Sequence, residues 1–107
     1  MKRRADTDEK TTSLAQQSLA LALAGLTEPE EVRAFLVDLC TPAELEAMAD
    51  RWRVVPLILK GVPYREIHEL TEVSVTTIGR VARTLETGTG GYATALRRQQ
   101  SRGAASH

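Results

Sequence analysis

Aromatic residues make up only 4% of this 107-residue chain: one Trp, one Phe and two Tyr. Leu, Val, Ile and Ala must therefore build the core, and in one short domain such a core is thin. The shortage favours an oligomer in which copies share apolar surface. Cysteine is nearly absent too. Cys40 stands alone, which excludes a disulfide framework and a thiolate metal site. No apolar run reaches the roughly 18 residues that a membrane span needs, and residues 19–26 are too few to cross a bilayer. The opening MKRRADTDEK is charged but followed by acids and threonines, unlike a secretory leader. A cytoplasmic protein is the plain expectation.

What the chain does have is a polarised charge pattern. The formal net charge is zero. Yet residues 28–50 hold seven acids (Glu28, Glu30, Glu31, Asp38, Glu44, Glu46, Asp50) against Arg33 alone. Residues 75–107 hold five arginines (Arg80, Arg83, Arg97, Arg98, Arg102) against Glu86 alone. Phosphate contacts need only a handful of such cations, so the distribution matters more than the sum. Ordinary solvated arginines with a basic tail give the same count, and that reading stays open.

The basic half begins inside the most informative segment, PYREIHELTEVSVTTIGRVARTL, residues 63–85. Ile67 and Thr71 are four apart and share one face of a short helix; Ile78 and Val81 are three apart and share one face of a second. Val73 lies between them, placed to plug the angle where the helices meet. This spacing predicts a helix-turn-helix whose second helix starts outward at residues 74–77, a unit that commonly puts a helix into a major groove. Glu72 occupies the place in the turn where the backbone goes left-handed and glycine is usual. A side chain there costs on the order of 1 kcal/mol. Two amphipathic helices joined by a tight turn also occur in proteins that never touch nucleic acid.

Other elements follow from caps and spacing. Residues 1–10 are expected to form a flexible arm, and a first helix should run from Thr11 or Thr12 to Ala24, ending at Gly25. Thr27 and Glu30 suggest a capping box for a second helix, with Pro29 in its first turn and Val32, Phe35, Leu36 and Leu39 on one face. Thr41, Pro42 and Glu44 repeat that signature for a third helix, expected to run to Lys60. Its seam is Leu45, Met48, Trp52, Val55 and Leu59, with Trp52 assigned to the core. Pro56 removes the hydrogen bond to the carbonyl of Trp52 and should kink this helix, costing about 3 kcal/mol if unrelieved. Beyond Leu85, ETGTGGY is expected to be a flexible joint, residues 92–100 a last short helix, and residues 101–107 a disordered tail.

Two stretches together, LCTPAELEAMADRWRVVPLILKG and the segment from residue 63 to 85, resemble the Trp repressor family. The likeness includes Thr41, Pro42, Glu44, Glu46, Ala47, Arg51, Arg53, Val55, Leu59 and Gly61. It continues with Arg65, Glu66, Thr77, Ile78, Arg80 and Leu85, and covers about residues 35–92. Tyr64, Arg83, Gly91 and Tyr92 look more like the YerC/YecD-type branch. The resemblance implies an all-α fold of about six helices in residues 11–100, and an intertwined homodimer with two protruding helix-turn-helix heads that meet double-stranded DNA. The repressor of this family is itself a standard example of half-sites about one helical turn apart and of water-mediated base contacts. It also implies that Val75, Thr76 and Thr77 face the groove, where hydroxyls and methyls suit base edges. Ser74 should cap the recognition helix and can reach a phosphate. Arg65, His68, Gly79 and Arg83 flank it, with Arg65 and Arg83 as phosphate anchors and Arg80 as a further candidate.

Effector control is where this chain departs from the family. There, tryptophan lies between the central and recognition helices, held by two arginines; the matching positions are Arg51 and Arg80, with Thr41 at the matching helix start. Two converging cations can hold a carboxylate. The position that admits the indole is glycine in that family and Val81 here, which argues against L-tryptophan. Arg80 then serves a phosphate or an intramolecular acid such as Glu46 or Asp50. No cofactor or metal is implied. The leading expectation is a homodimeric, sequence-specific DNA-binding regulator that represses by occupying an operator. The alternative is a helical protein-interaction module that has lost DNA binding, favoured by the near-neutral head that Glu66, Glu69 and Glu72 create. An enzyme is the poorest reading, since His68 and Cys40 have no partners in any catalytic spacing.

Overall fold

Proline placement explains where two of the helices begin. The computed structural model describes residues 6–105, which form α1 (Asp6–Ala24), α2 (Pro29–Leu39), α3 (Pro42–Leu59), α4 (Tyr64–Thr71), α5 (Val75–Thr87) and α6 (Gly91–Ala105). Among the described residues there is no strand, so the all-α expectation holds. Pro29 takes the first position of α2, and the residue before it caps the helix: Glu28, at φ −99° and ψ 133°. A proline forces its predecessor into extended geometry, and that shifts the cap from Thr27 to Glu28. The expected capping box therefore does not form, and Glu28 makes no side-chain cap. Pro42 is the first residue of α3.

The chain separates into two compact units, residues 1–42 and 43–107. In the first, α1 starts five residues earlier than expected, at Asp6 rather than Thr11. Acids at Asp8 and Glu9 suit the positive end of a helix dipole, and Thr12 Oγ1 donates to the Asp8 carbonyl at 2.9 Å, inside the opening turns. Residues 6–10 are thus helical, while the rest of the expected arm lies outside the described residues. Among this unit's described side chains none is fully buried. Leu14, Leu21, Val37 and Leu39 are all more than half exposed.

The second unit holds the core. Val54, Val55, Ile67, Val73, Ile78 and Val81 are buried, with Trp52, Leu57, Ile58, Val62, Leu85, Tyr92 and Leu96 packed against them. Trp52 is a core-edge residue as expected, its ring 6.4 Å from that of Tyr92. The α3 seam is displaced from the expected one: Val54 is buried while Met48 and Leu59 are exposed. Helix α3 runs on through Pro56, whose carbonyl accepts from Lys60 N–H at 3.1 Å. It ends in a Schellman motif, with Gly61 at φ +80°, Gly61 N–H bonded to the Ile58 carbonyl and Val62 N–H to the Leu57 carbonyl.

Two further boundaries differ from the sequence reading. Helix α5 continues to Thr87, so the expected glycine-rich joint shrinks to residues 88–90. Gly88 N–H closes α5 on the Thr84 carbonyl at 2.7 Å, and a Cβ at Gly88 would lie 2.6 Å from that same oxygen. Only glycine fits this corner. Helix α6 then extends to Ala105, past the expected start of a disordered tail at residue 101. Residues 106–107 lie outside the described residues. No helix among the described residues is long and apolar enough to cross a membrane.

Candidate nucleic-acid interface

Helices α4 and α5 meet around three residues, Glu72, Val73 and Ser74. Glu72 sits at φ 63° and ψ 11°, the left-handed conformation anticipated for it, and its N–H bonds to the His68 carbonyl at 2.7 Å. Val73 is turned inward, 4% exposed, between Ile67 of α4 and Ile78 and Val81 of α5. That apolar plug fixes the angle between the helices, because its burial is lost if they part.

Polar groups lock the same turn, and here sequence reasoning missed two residues. Thr71 Oγ1 donates to the Ile67 carbonyl at 2.7 Å and accepts from Val73 N–H at 3.1 Å. His68 Nδ1 donates to the Val73 carbonyl at 2.8 Å. A carbonyl can only accept, so the proton must reside on Nδ1. Both backbone groups of the buried Val73 are thereby satisfied by side chains of α4. His68 is a clamp on the turn, a role that its place flanking the recognition helix did not suggest. Thr71, next to the turn, carried the only local signal, since a threonine there readily bonds nearby backbone; His68 carried none.

Ser74 caps α5 as anticipated. Its Oγ accepts from Thr77 N–H at 3.1 Å and donates to Thr77 Oγ1 at 2.9 Å. Val75 is 50% exposed and Thr76 is exposed, while Thr77 is half-buried. Along α5, Ile78, Val81 and Leu85 recur on the core side. Thr76, Arg80 and Arg83 follow at four and three residues on the opposite side, where all three are exposed. The strip from Thr76 to Arg83 spans about 10 Å at 1.5 Å per residue. Arg65, the second residue of α4, is exposed as well. The structure thus gathers Ser74, Val75, Thr76 and Thr77 at one helix start, with two arginines one and two turns further along.

Arg51 is half-buried on α3, Arg80 is exposed on α5, and Thr41 lies in the first unit, next to its end. Val81, at the position expected to admit an indole, is a core residue only 1% exposed. Asp50, one suggested partner for Arg80, faces Arg53 Nη1 at 3.8 Å. A cavity of about 270 Å³ does exist in the second unit, but Thr84, Leu85, Thr89, Gly90 and Tyr92 line it, at the far end of α5 from Ser74. Among the described residues no group of three His, Cys, Asp or Glu side chains is placed to hold a metal ion.

Comparison with known proteins decides the family. The sequence profile described as Trp repressor protein matches residues 15–100. The chain belongs to the Trp repressor family. It is 36% identical over 77 residues to the uncharacterized protein YerC of Bacillus subtilis, covering 72% of this chain and 74% of that protein. It also resembles the crystal structure of a "putative Trp repressor" from Staphylococcus aureus, with a TM-score of 0.78 and 32% identity, over 90% of this chain and 96% of that one. The Trp repressor family is a family of DNA-binding regulators, and the YerC likeness places this chain in the branch that Tyr64, Arg83, Gly91 and Tyr92 indicated.

Proposed function

We infer that this Trp repressor family member is a homodimeric, sequence-specific DNA-binding protein that represses transcription by occupying an operator in the cytoplasm. One observation carries the reading furthest: a capped helix start offering Val75 and Thr76 outward from a clamped turn, with Thr77 half-buried beside them. Such a start fits a B-form major groove, which is about 12 Å wide. Arg65, Arg80 and Arg83 supply phosphate contacts on either side, and the α5 amides at Val75 and Thr76 add donors at the positive end of the helix. The burial of Val81 supports a regulator that does not take L-tryptophan.

Selection of duplexes from a random pool, followed by fluorescence titration of the enriched sequence, tests this directly. Nanomolar to micromolar binding that weakens steeply with salt is expected. Absence of binding to any duplex would remove the reading. The interaction-module alternative rests on Leu70, 61% exposed on α4 among the acids Glu66, Glu69 and Glu72. Retention of a protein partner with no duplex binding would favour it.

A further inference from the structure

We propose that Tyr64 is a phosphate contact of the reading head: a neutral hydroxyl donor, placed by its packing on Gly79, that holds one backbone phosphate in each half-site. This deepens the DNA-binding reading and rests on it. Tyr64 is the first residue of α4, yet its ring lies against α5. A Cβ built at Gly79 would stand 3.9 Å from Tyr64 Cε2. Cε2 is bonded to the ring carbon that bears the hydroxyl, so the polar end of the ring is the end that meets α5. Gly79 comes three residues after Thr76 and four before Arg83, and the three share one edge of the helix. A side chain of α4 thereby joins the exposed strip of α5, in the gap that a glycine leaves between a threonine and an arginine.

The surroundings of that hydroxyl suit an anionic oxygen. Tyr64 is 43% exposed, and among the described residues its hydroxyl has no hydrogen-bond partner. The donor is therefore available to a ligand. Its ring rests on α5, and a tyrosine has only two side-chain torsions to fix, so ordering it on binding costs little. Thr76 and Arg83 flank it with a hydroxyl and a cation, both exposed. Glu86, the one acid of α5, comes about two turns after Gly79. A donor beside a guanidinium, with no carboxylate of its own helix close by, fits a phosphate better than a cationic or donor group. Gly79 also lies a turn beyond Val75. A recognition helix meets base edges with its first residues, so a group one turn further along at its margin meets the sugar-phosphate backbone, where tyrosine hydroxyls are common donors.

Tyr64→Phe removes the oxygen and keeps the ring on Gly79. The duplex that the full-length wild type enriches from a random pool is the probe, titrated with both proteins at several salt concentrations. Tyr64→Phe is expected to bind it roughly tenfold more weakly per half-site, the scale of one hydrogen bond to a charged group. Its thermal midpoint should be unchanged, because the lost hydroxyl has no partner in the fold. The slope of log affinity against log salt should be unchanged as well, since a neutral donor displaces no counterion, and a repeated selection should return the same sequence. Scanning the duplex with methylphosphonate, one position at a time, then locates the phosphate. At one position per half-site the wild type should lose affinity while Tyr64→Phe loses little more. Unchanged affinity for Tyr64→Phe, a flatter salt slope, a changed selected sequence or a scan with no such position overturns the inference and leaves DNA binding standing. A lowered thermal midpoint overturns it too, because the hydroxyl would then be a structural group. If the wild type binds no duplex, both fall.

Discussion

Glu72 holds a backbone conformation that glycine adopts without penalty, and it does so in the turn between α4 and α5. Replacing it with glycine removes a strain of about 1 kcal/mol, against a smaller loss from the looser unfolded chain. Glu72→Gly should therefore raise stability by roughly 0.5 kcal/mol, seen as a higher urea midpoint with an unchanged slope. Val81 carries a second residue-scale prediction. Its side chain is buried in the core, at the position where the resemblance implies that an indole would enter; on that reading, calorimetry with free L-tryptophan should give no micromolar isotherm. Both positions were legible in the sequence because each departs from an expected glycine. The clamp residues were not. His68 reaches Val73 across five residues, and a hydrogen bond to a backbone carbonyl in a turn leaves no periodic trace.

Helix α5 was the most legible element, because its cap, its buried stripe and its exposed strip are all local and sit at helical spacing. Gly79, inside it, is a place where the sequence is not optimal for a helix. A Cβ added there would meet Tyr64 at 3.9 Å, an ordinary contact. Gly79→Ala should therefore stabilise the fold by about 0.5–1 kcal/mol, visible as a rise in thermal midpoint. The α3 seam was harder to read. Three-four spacing allowed a stripe through Met48 and Leu59, but tertiary packing chose Val54 beside Val55. Pattern reports which faces are apolar; only the neighbours decide which face is covered. The α2 cap failed for a local reason, since Thr27 was the better capping side chain but Pro29 dictated the geometry of Glu28. Helix α6 outran its expected end because RRQQSRGAA contains no proline, and one interior glycine weakens a helix without ending it.

At the scale of the molecule, apolar surface and charge decide the behaviour. Leu14 and Leu21 are 60% and 68% exposed on α1, in agreement with the thin core that the shortage of aromatics implied. In the proposed dimer a second copy covers such residues. Analytical ultracentrifugation should find twice the chain mass, and Leu14→Glu with Leu21→Glu should shift the population towards monomer by placing charge on that surface. The polarised charge gives a second test. Arg83→Ala should weaken binding to every duplex about equally and lower the slope of log affinity against log salt by roughly 1. Base preference should be unaltered, in contrast to changes at the helix start.

The connection between α3 and α4 has a mechanical consequence. Gly61 and Val62 are tied back onto α3 by two backbone bonds, Pro63 has φ near −59°, and the Pro63 carbonyl already accepts from Ile67 N–H of α4. There is no slack between the long central shaft and the reading head. If the head enters a duplex as proposed, this short tie makes shaft and head one lever, and withdrawing the head requires swinging the shaft with it.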